Sequence, residues 1–169
     1  MIEFMPNDRS IIIDDPALYI ELVQFMARYA ACIDNDELES WPDFFTDDCI
    51  YKIQSRENYD RGLPLTALDG DSKGMLIDRI VSLREANIYA FHHYRHVLST
   101  PLIHSVSENE IESETAYVVF TTLNEGETHT FSAGRYLDKV VRVDGRLLFK
   151  QRHVIFDTNS IRTQIVTPI

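Results

Sequence analysis

The chain has 169 residues, of which 44% are hydrophobic and 25% charged, enough apolar material for one domain with a buried core. Its formal net charge of −11 at pH 7 would repel a phosphate backbone, so we expect no nucleic-acid partner. The sequence has no run of 18 apolar residues that could cross a membrane, and its N-terminus lacks the pattern of a secretory signal. We therefore expect a cytoplasmic protein without a membrane partner.

The N-terminal part of the sequence predicts helices. Residues 1–13 are expected to form an irregular arm. Asp14-Asp15-Pro16 then supplies an Asp N-cap and a first-turn proline for a helix that runs to about Ile33. One face of this helix carries apolar residues at spacings of three and four, namely Leu18, Leu22, Phe25, Tyr29 and Cys32. A short second helix is predicted over residues 37–45, with Pro42 inside it.

The remainder of the chain predicts one more helix and then strands. Turn-forming residues mark a long loop, and Pro101 lies inside a strand, which favours an edge position or a bulge. We expect the apolar C-terminal tail to pack on a neighbouring chain. The predicted elements are a strand at 49–54, a loop at 59–72, a helix at 73–90, strands at 97–106 and 111–123, a hairpin at 128–157, and the tail at 163–169.

The predicted hairpin turns at Asp144-Gly145, because Asp-Gly between β-rich runs is the strongest short-range hairpin signal. A two-residue turn would place Lys139 directly opposite Lys150. We therefore expect a three-residue loop over residues 143–145, with Gly145 left-handed. In that register Asp138 lies opposite Lys150, and opposite charges across a strand pair are stabilising.

The order of elements, helices first and then antiparallel strands, is typical of an α+β fold with helices on one face of a curved sheet. The sequence shows no internal repeat and no linker, so we expect a single domain over residues 1–169. Cys32 and Cys49 could in principle pair. We expect buried thiols instead, because the chain lacks a secretory signal.

Two groups of polar residues are candidates for a site within the chain. His92, His93 and His96 form a cluster at the change from helix to strand, and on a helix His92 and His96 would share a face, as metal ligands do. No carboxylate lies at a motif spacing from them, so ordinary hydrogen-bonded histidines are the alternative.

The second group would surround a cavity under the helices, where an Asp or His can act as a general acid or base. The residues expected near its mouth are Tyr29, Asp34, Asp48, Tyr51 and His96. Each also has a structural interpretation, since the tyrosines lie on core stripes and the aspartates at element ends.

Ligand counting argues against a redox centre in this chain. A Rieske cluster needs two Cys-His pairs at close spacing, and neither Cys32 nor Cys49 is followed by a histidine. We therefore expect no cofactor and no metal here.

Several segments together resemble the small (β) subunits of aromatic-ring-hydroxylating dioxygenases over roughly residues 16–158. They are Tyr29 with Asp34, Trp41 with Phe44-Phe45 before an Asp-Asp, Arg95-His96 at a helix end, the strand 96–101, Gly134-Arg135-Tyr136-Leu137-Asp138, and Asp144-Gly145-Arg146-Leu147 leading to Lys150, Arg152, Ile155 and Asp157. The resemblance implies a cone-shaped α+β fold, like those of nuclear transport factor 2 and scytalone dehydratase.

The resemblance also implies a role in aromatic hydrocarbon catabolism. A large α subunit would carry a Rieske 2Fe-2S cluster and a mononuclear iron, and this chain would carry neither. The two subunits would assemble as a hetero-hexamer of three and three, in which this chain supports assembly. Interface candidates are Arg135, Tyr136, Arg146 and Arg152. The alternatives are a stand-alone isomerase or dehydratase of the same fold with a buried acid-base pair, and a small-ligand-binding protein.

Overall fold

The structure, a computed structural model, describes residues 15–86, 92–123, 126–158, 165 and 167–169. The predicted N-terminal arm and the predicted end of the third helix, residues 87–90, lie outside the described residues. The elements in chain order are α1 (Pro16–Asp34), a 3₁₀ helix (Leu38–Phe44), β1 (Phe45–Ser55), α2 (Arg56–Asp60), β2 (Leu68–Gly70), α3 (Lys73–Ala86), β3 (His92–Leu98), β4 (Leu102–Val106), β5 (Glu110–Leu123), β6 (Thr128–Val143) and β7 (Arg146–Phe156).

Helix α1 begins where the sequence predicts it. The Asp15 carboxylate accepts hydrogen bonds from two backbone N–H groups of the first turn, each 3.0 Å long, and Pro16 occupies a position that needs no donor. On the buried face, the rings of Phe25 and Tyr29 lie 4.6 and 5.3 Å from the ring of Phe149 on β7. The predicted apolar stripe therefore packs directly on the sheet.

The segment after α1 differs from the prediction in detail. The second helix is a 3₁₀ helix that contains Pro42, and β1 begins at Phe45 rather than at Cys49. The predicted loop over residues 59–72 contains the end of α2 and the short strand β2, which pairs with β1. None of the helices in the described ranges is long and apolar enough to cross a membrane.

The described strands form one sheet in the order β2-β1-β7-β6-β5-β3, and β4 pairs with the other half of the same edge of β5. The sheet is mixed, which corrects the prediction of an antiparallel sheet, because β1 pairs with β7 in parallel. Irregular registers interrupt four of the strand pairs. Because bulges bend strands and increase their twist, they let the sheet curve around α1.

The predicted strand over residues 97–106 is two strands, β3 and β4, separated at Ser99–Pro101. Proline lacks the N–H that a continuous ladder would need at this point, which explains the break. Strand β3 begins at His92, so the whole histidine cluster lies on a strand and not on a helix.

The hairpin register differs from the one we predicted. Asp144 and Gly145 form a two-residue turn with φ values of 49° and 78°, and Val143 lies opposite Arg146. The predicted left-handed Gly145 is confirmed, but the three-residue loop is wrong. A bulge at Lys150 shifts the register, so that Lys139 lies opposite Gln151 and the two lysines never face each other.

Gly134 on β6 lies directly against the backbone of β7. A Cβ atom at this position would lie 2.0 Å from the main-chain oxygen of Ile155, a distance that no side chain can occupy. The glycine in the Gly134-Arg135-Tyr136-Leu137-Asp138 segment is therefore required by backbone contact rather than by a turn.

The core lies between α1, α3 and the inner face of the sheet and is rich in aromatic rings. Trp41 contacts Phe45 and Tyr51, with ring centroids 5.3 and 5.2 Å apart. Both cysteines are buried free thiols, as predicted. Ile169, which the prediction placed in a tail packed on a neighbouring chain, is instead fully buried in this core.

Candidate functional site

The centre of the cone holds a buried ion pair. Arg152 on β7 and Asp138 on β6 lie opposite each other, and the guanidinium donates two hydrogen bonds of 2.8 Å to the two carboxylate oxygens. Neither side chain has any exposed surface. The guanidinium carbon also lies 4.1, 4.2 and 3.9 Å from the ring centroids of Tyr29, Tyr136 and Phe149.

The surroundings of Arg152 keep it charged. Burial alone would lower the pKa of Arg152, but the Asp138 carboxylate and the neighbouring tyrosines raise it above its usual value. Burial raises the pKa of Asp138, and the Arg152 charge opposes that rise. A paired charge at this depth fixes β6 against β7 and the sheet against α1, because breaking such a pair is costly.

Tyr29 and Tyr51, both predicted near a cavity mouth, meet inside the core instead. Their hydroxyls donate to the main-chain oxygen of Ile169, at 3.3 and 2.7 Å, and the Ile169 N–H donates to the Tyr51 hydroxyl at 3.1 Å. Burial raises the pKa of both tyrosines. They therefore act as neutral hydrogen-bond partners of Ile169 in this interior.

Three more polar atoms in the interior have no hydrogen-bond partner among the described residues. They are Trp41 Nε1, the Tyr136 hydroxyl and Arg152 Nη1. The interior thus combines aromatic walls with several hydrogen-bond donors, and the Asp138 carboxylate balances the charge of Arg152.

Asp34 and His96 form a second, separate pair. Asp34 ends α1, and its carboxylate accepts from His96 Nδ1 at 2.6 Å and from the His96 backbone N–H at 2.9 Å. The two side chains are 4% and 0% exposed. The carboxylate therefore fastens the end of α1 to β3 through both the ring and the main chain of His96.

A groove of about 410 Å³ lies beside this pair. Its lining includes Ala27 and Ala31 from α1, together with Asp34, His96 and Pro101. His96 Nε2 is buried and has no hydrogen-bond partner in the described part of the chain. A carboxylate-imidazole pair can in principle move a proton, but the nitrogen that would do so is closed off from the groove.

Other predicted site residues lie elsewhere. Asp48 is exposed and forms an ion pair with Lys150, which lowers the pKa of the Asp48 carboxyl. On β3, His92 and His96 share a face but are four residues apart, roughly 13 Å along a strand. They are too far apart to bind one ion. Within the described ranges, no three His, Cys, Asp or Glu side chains are grouped as a metal site requires.

The four interface candidates divide into two kinds. Arg146 is exposed at the hairpin turn, and Arg135 is partly exposed on β6, 3.6 Å from Glu114. Tyr136 and Arg152 are fully buried in the chain's own core. They therefore have no surface with which to contact a partner subunit.

Sequence reasoning missed the Asp138–Arg152 pair and the role of Ile169. Side chains alternate between the two faces of a strand, so counting forward from the buried Phe149 would place Arg152 on the outer face. The bulge at Lys150 adds one residue and moves Arg152 to the inner face. Counting backward from Phe156 through Val154 would have placed Arg152 inside. No local pattern marks Ile169 as a core residue.

Comparison with known proteins agrees with this fold. The profile of the SnoaL-like domain family matches residues 17–153. The small subunit of anthranilate 1,2-dioxygenase from Burkholderia cepacia is 43% identical over 156 residues, covering 92% of this chain and 97% of the relative. Subunit beta 2 of the terminal oxygenase component of terephthalate 1,2-dioxygenase from a Comamonas species is 41% identical over 150 residues, covering 89% and 97%.

The crystal structure of a β subunit assigned to an aromatic-ring-hydroxylating dioxygenase from Novosphingobium aromaticivorans superposes with a TM-score of 0.83. It is 43% identical and covers 90% of this chain and 97% of that one. A protein from the same organism assigned as a scytalone dehydratase shares the fold, with a TM-score of 0.66 at 20% identity. The chain thus has the cone-shaped α+β fold and belongs to the family of small (β) subunits of aromatic-ring-hydroxylating dioxygenases.

Proposed function

We propose that this chain is the non-catalytic β subunit of a multi-component dioxygenase that adds dioxygen across an aromatic ring. The observation that carries the proposal is 41–43% identity, over 89–92% of the chain, to small subunits of two such enzymes. Both relatives are named for carboxylated aromatic rings. We propose aromatic carboxylates as the first substrates to test on the assembled enzyme.

The proposal places the redox chemistry in a large α subunit. That subunit would hold a Rieske 2Fe-2S cluster and a mononuclear iron and would receive electrons from NAD(P)H through a reductase. The ligands of such centres do not fit this chain, because Cys32 and Cys49 are separate buried thiols with no Cys-x-His spacing. We propose that the complex is cytoplasmic and contains three copies of each subunit.

The partner surface would involve the outer face of the sheet and the hairpin turn. Arg135 and Arg146 remain available there, and the edge strands add exposed apolar side chains, of which Val97 is 53% and Leu102 60% exposed. Mixed apolar and arginine surfaces are typical of protein interfaces. On this proposal, replacing both arginines by Glu weakens assembly without unfolding the chain.

Co-expression tests this assignment. With its α subunit, the tagged chain should copurify as a large complex, measured by size-exclusion chromatography with light scattering. The Arg135→Glu/Arg146→Glu variant should shift mass toward the free chain, whereas the exposed control Arg61→Glu should not. A chain that stays monomeric and ignores the α subunit would refute the proposed role.

A stand-alone isomerase or dehydratase is the second candidate. The Asp34–His96 pair beside the groove is the observation that favours it. It predicts turnover by the isolated chain that is lost in His96→Gln. The support-subunit proposal predicts no such turnover.

A further inference from the structure

The interior of the cone has the chemistry of a ligand site, and the chain itself fills it. We propose that this interior is a binding site for a small molecule that carries a carbonyl or carboxylate oxygen next to a branched aliphatic group. In the structure the C-terminal residues 167–169 occupy it as a built-in ligand. The proposal is independent of the complex that the chain joins.

Ile169 is held by residues that are distant in sequence, through hydrogen bonds to its main chain and burial of its side chain. Tyr51 donates to the main-chain oxygen of Ile169 at 2.7 Å, and its hydroxyl accepts the Ile169 N–H at 3.1 Å. Tyr29 adds a longer bond of 3.3 Å to the same oxygen. These partners lie 118 and 140 residues away in sequence, and the Ile169 side chain has no exposed surface.

The walls suit an oxygen acceptor in particular. Without residues 167–169 the hydroxyls of Tyr29 and Tyr51 would lose their acceptor. The unpartnered donor groups of Trp41, Tyr136 and Arg152 lie in the same interior. Because burial raises the pKa values of Tyr29, Tyr51 and Tyr136, all three hydroxyls keep their protons. Donors, aromatic walls and a nearby guanidinium favour a carbonyl or carboxylate over an amine.

The tail is also held at its entrance. Arg79 on α3 donates through Nη2 to the main-chain oxygen of Ile165, and Thr167 and Pro168 are buried beyond it. Burial lowers the pKa of Arg79. The segment therefore has an anchor at Arg79 and a terminal contact at Tyr51.

Complementation of a shortened chain tests the site. A variant that ends at Val166 should melt several degrees below the full chain. Acetyl-Thr-Pro-Ile at millimolar concentration should raise its melting temperature, while leaving the full chain unchanged. Acetyl-Thr-Pro-Gly is the matched control and should raise it much less. A third peptide, the C-terminal amide of acetyl-Thr-Pro-Ile, keeps the carbonyl oxygen but lacks the carboxylate charge. It therefore distinguishes recognition of a carboxylate from recognition of a carbonyl.

The site is refuted if the shortened chain melts like the parent, or if both peptides act equally. Should the shortened chain fail to fold, amide hydrogen exchange on the full chain decides instead. The Ile169 N–H should be protected, and Tyr51→Phe should speed its exchange at least tenfold while amides of β6 and β7 keep their rates. Unprotected exchange at Ile169 in the parent would overturn the proposal.

Discussion

Arg152 and Asp138 form the contact in which single residues matter most. Both groups are fully buried, and their two 2.8 Å hydrogen bonds leave neither oxygen of Asp138 without a donor. Removing one partner leaves the other charge buried without a counter-charge, which is costly. Replacing both partners by apolar residues of similar size leaves no buried charge. The pair therefore contributes to specificity of packing more than to net stability.

Asp138→Asn should accordingly lower the free energy of unfolding by about 3–5 kcal/mol, measured by urea denaturation. The double variant Asp138→Leu/Arg152→Met should recover most of that loss. The exposed pair Arg61–Glu57 is the control, and Glu57→Gln should change stability by less than about 0.5 kcal/mol. A double variant less stable than Asp138→Asn would show that the ionic contact is itself stabilising.

His153 makes stability depend on pH. Burial lowers the pKa of His153 to about 4, and the Lys52 charge adds to this effect. Its Nε2 lies 3.0 Å from Gln54 Oε1, which suits a neutral ring donating from Nε2. Because the unfolded chain has a His pKa of about 6.5, it takes up a proton below that pH that the folded chain does not.

The free energy of unfolding should therefore fall as pH drops from about 6.5 to about 4, and this contribution should level off below 4. His153→Gln should flatten that part of the pH profile, measured by urea midpoints at several pH values. The same substitution at the exposed His129 should leave the parent slope. Parallel profiles for the parent and His153→Gln would contradict this assignment.

At the scale of elements, the β6–β7 hairpin shows what local sequence can predict. The Asp-Gly turn and its left-handed glycine follow from residue chemistry alone. The strand register does not follow from local chemistry. Cross-strand charge pairing predicted a three-residue loop, whereas the turn has two residues. A bulge at Lys150 prevents Lys139 and Lys150 from facing each other. The Lys150 ammonium instead pairs with Asp48 on β1. That contact joins residues 102 positions apart, which no local pattern could reveal.

The turn geometry makes a specific prediction. Gly145 has φ of 78°, so Gly145→Val should cost about 1 kcal/mol or more. Asp144→Asn should be neutral or slightly stabilising, because Asn is favoured in a two-residue turn with positive φ. Melting temperatures by circular dichroism compare the two variants. Equal stability of Gly145→Val and the parent would rule out the left-handed conformation.

At the scale of the whole molecule, fold class and family were predictable, and the interior was not. Apolar spacing in α1 and the order of helices and strands predict an α+β fold with helices on a curved sheet, and the resemblance to dioxygenase β subunits implies its cone shape. The parallel pairing of β1 with β7 and the burial of Ile169 depend on contacts between distant parts of the chain. The sequence placed the histidine cluster at the change from helix to strand, whereas β3 already begins at His92, so a helical spacing does not apply to these residues.

The central claim is that this chain supports catalysis without taking part in it. The Asp34–His96 pair then serves to fasten α1 to β3, and its ring nitrogen Nε2 is not used in chemistry. A catalytic acid or base typically contributes about 10²–10⁴-fold to a rate. A structural pair affects activity only through folding and assembly.

The decisive measurement is dioxygenase activity of the reconstituted complex per assembled unit, with His96→Gln in this chain and the exposed His93→Gln as control. The account predicts activity within about twofold of the parent for both variants, since a structural hydrogen bond contributes only about 0.5–1.5 kcal/mol to folding. A loss of about 100-fold or more for His96→Gln, with assembly and melting temperature unchanged, would contradict it and identify a catalytic chain.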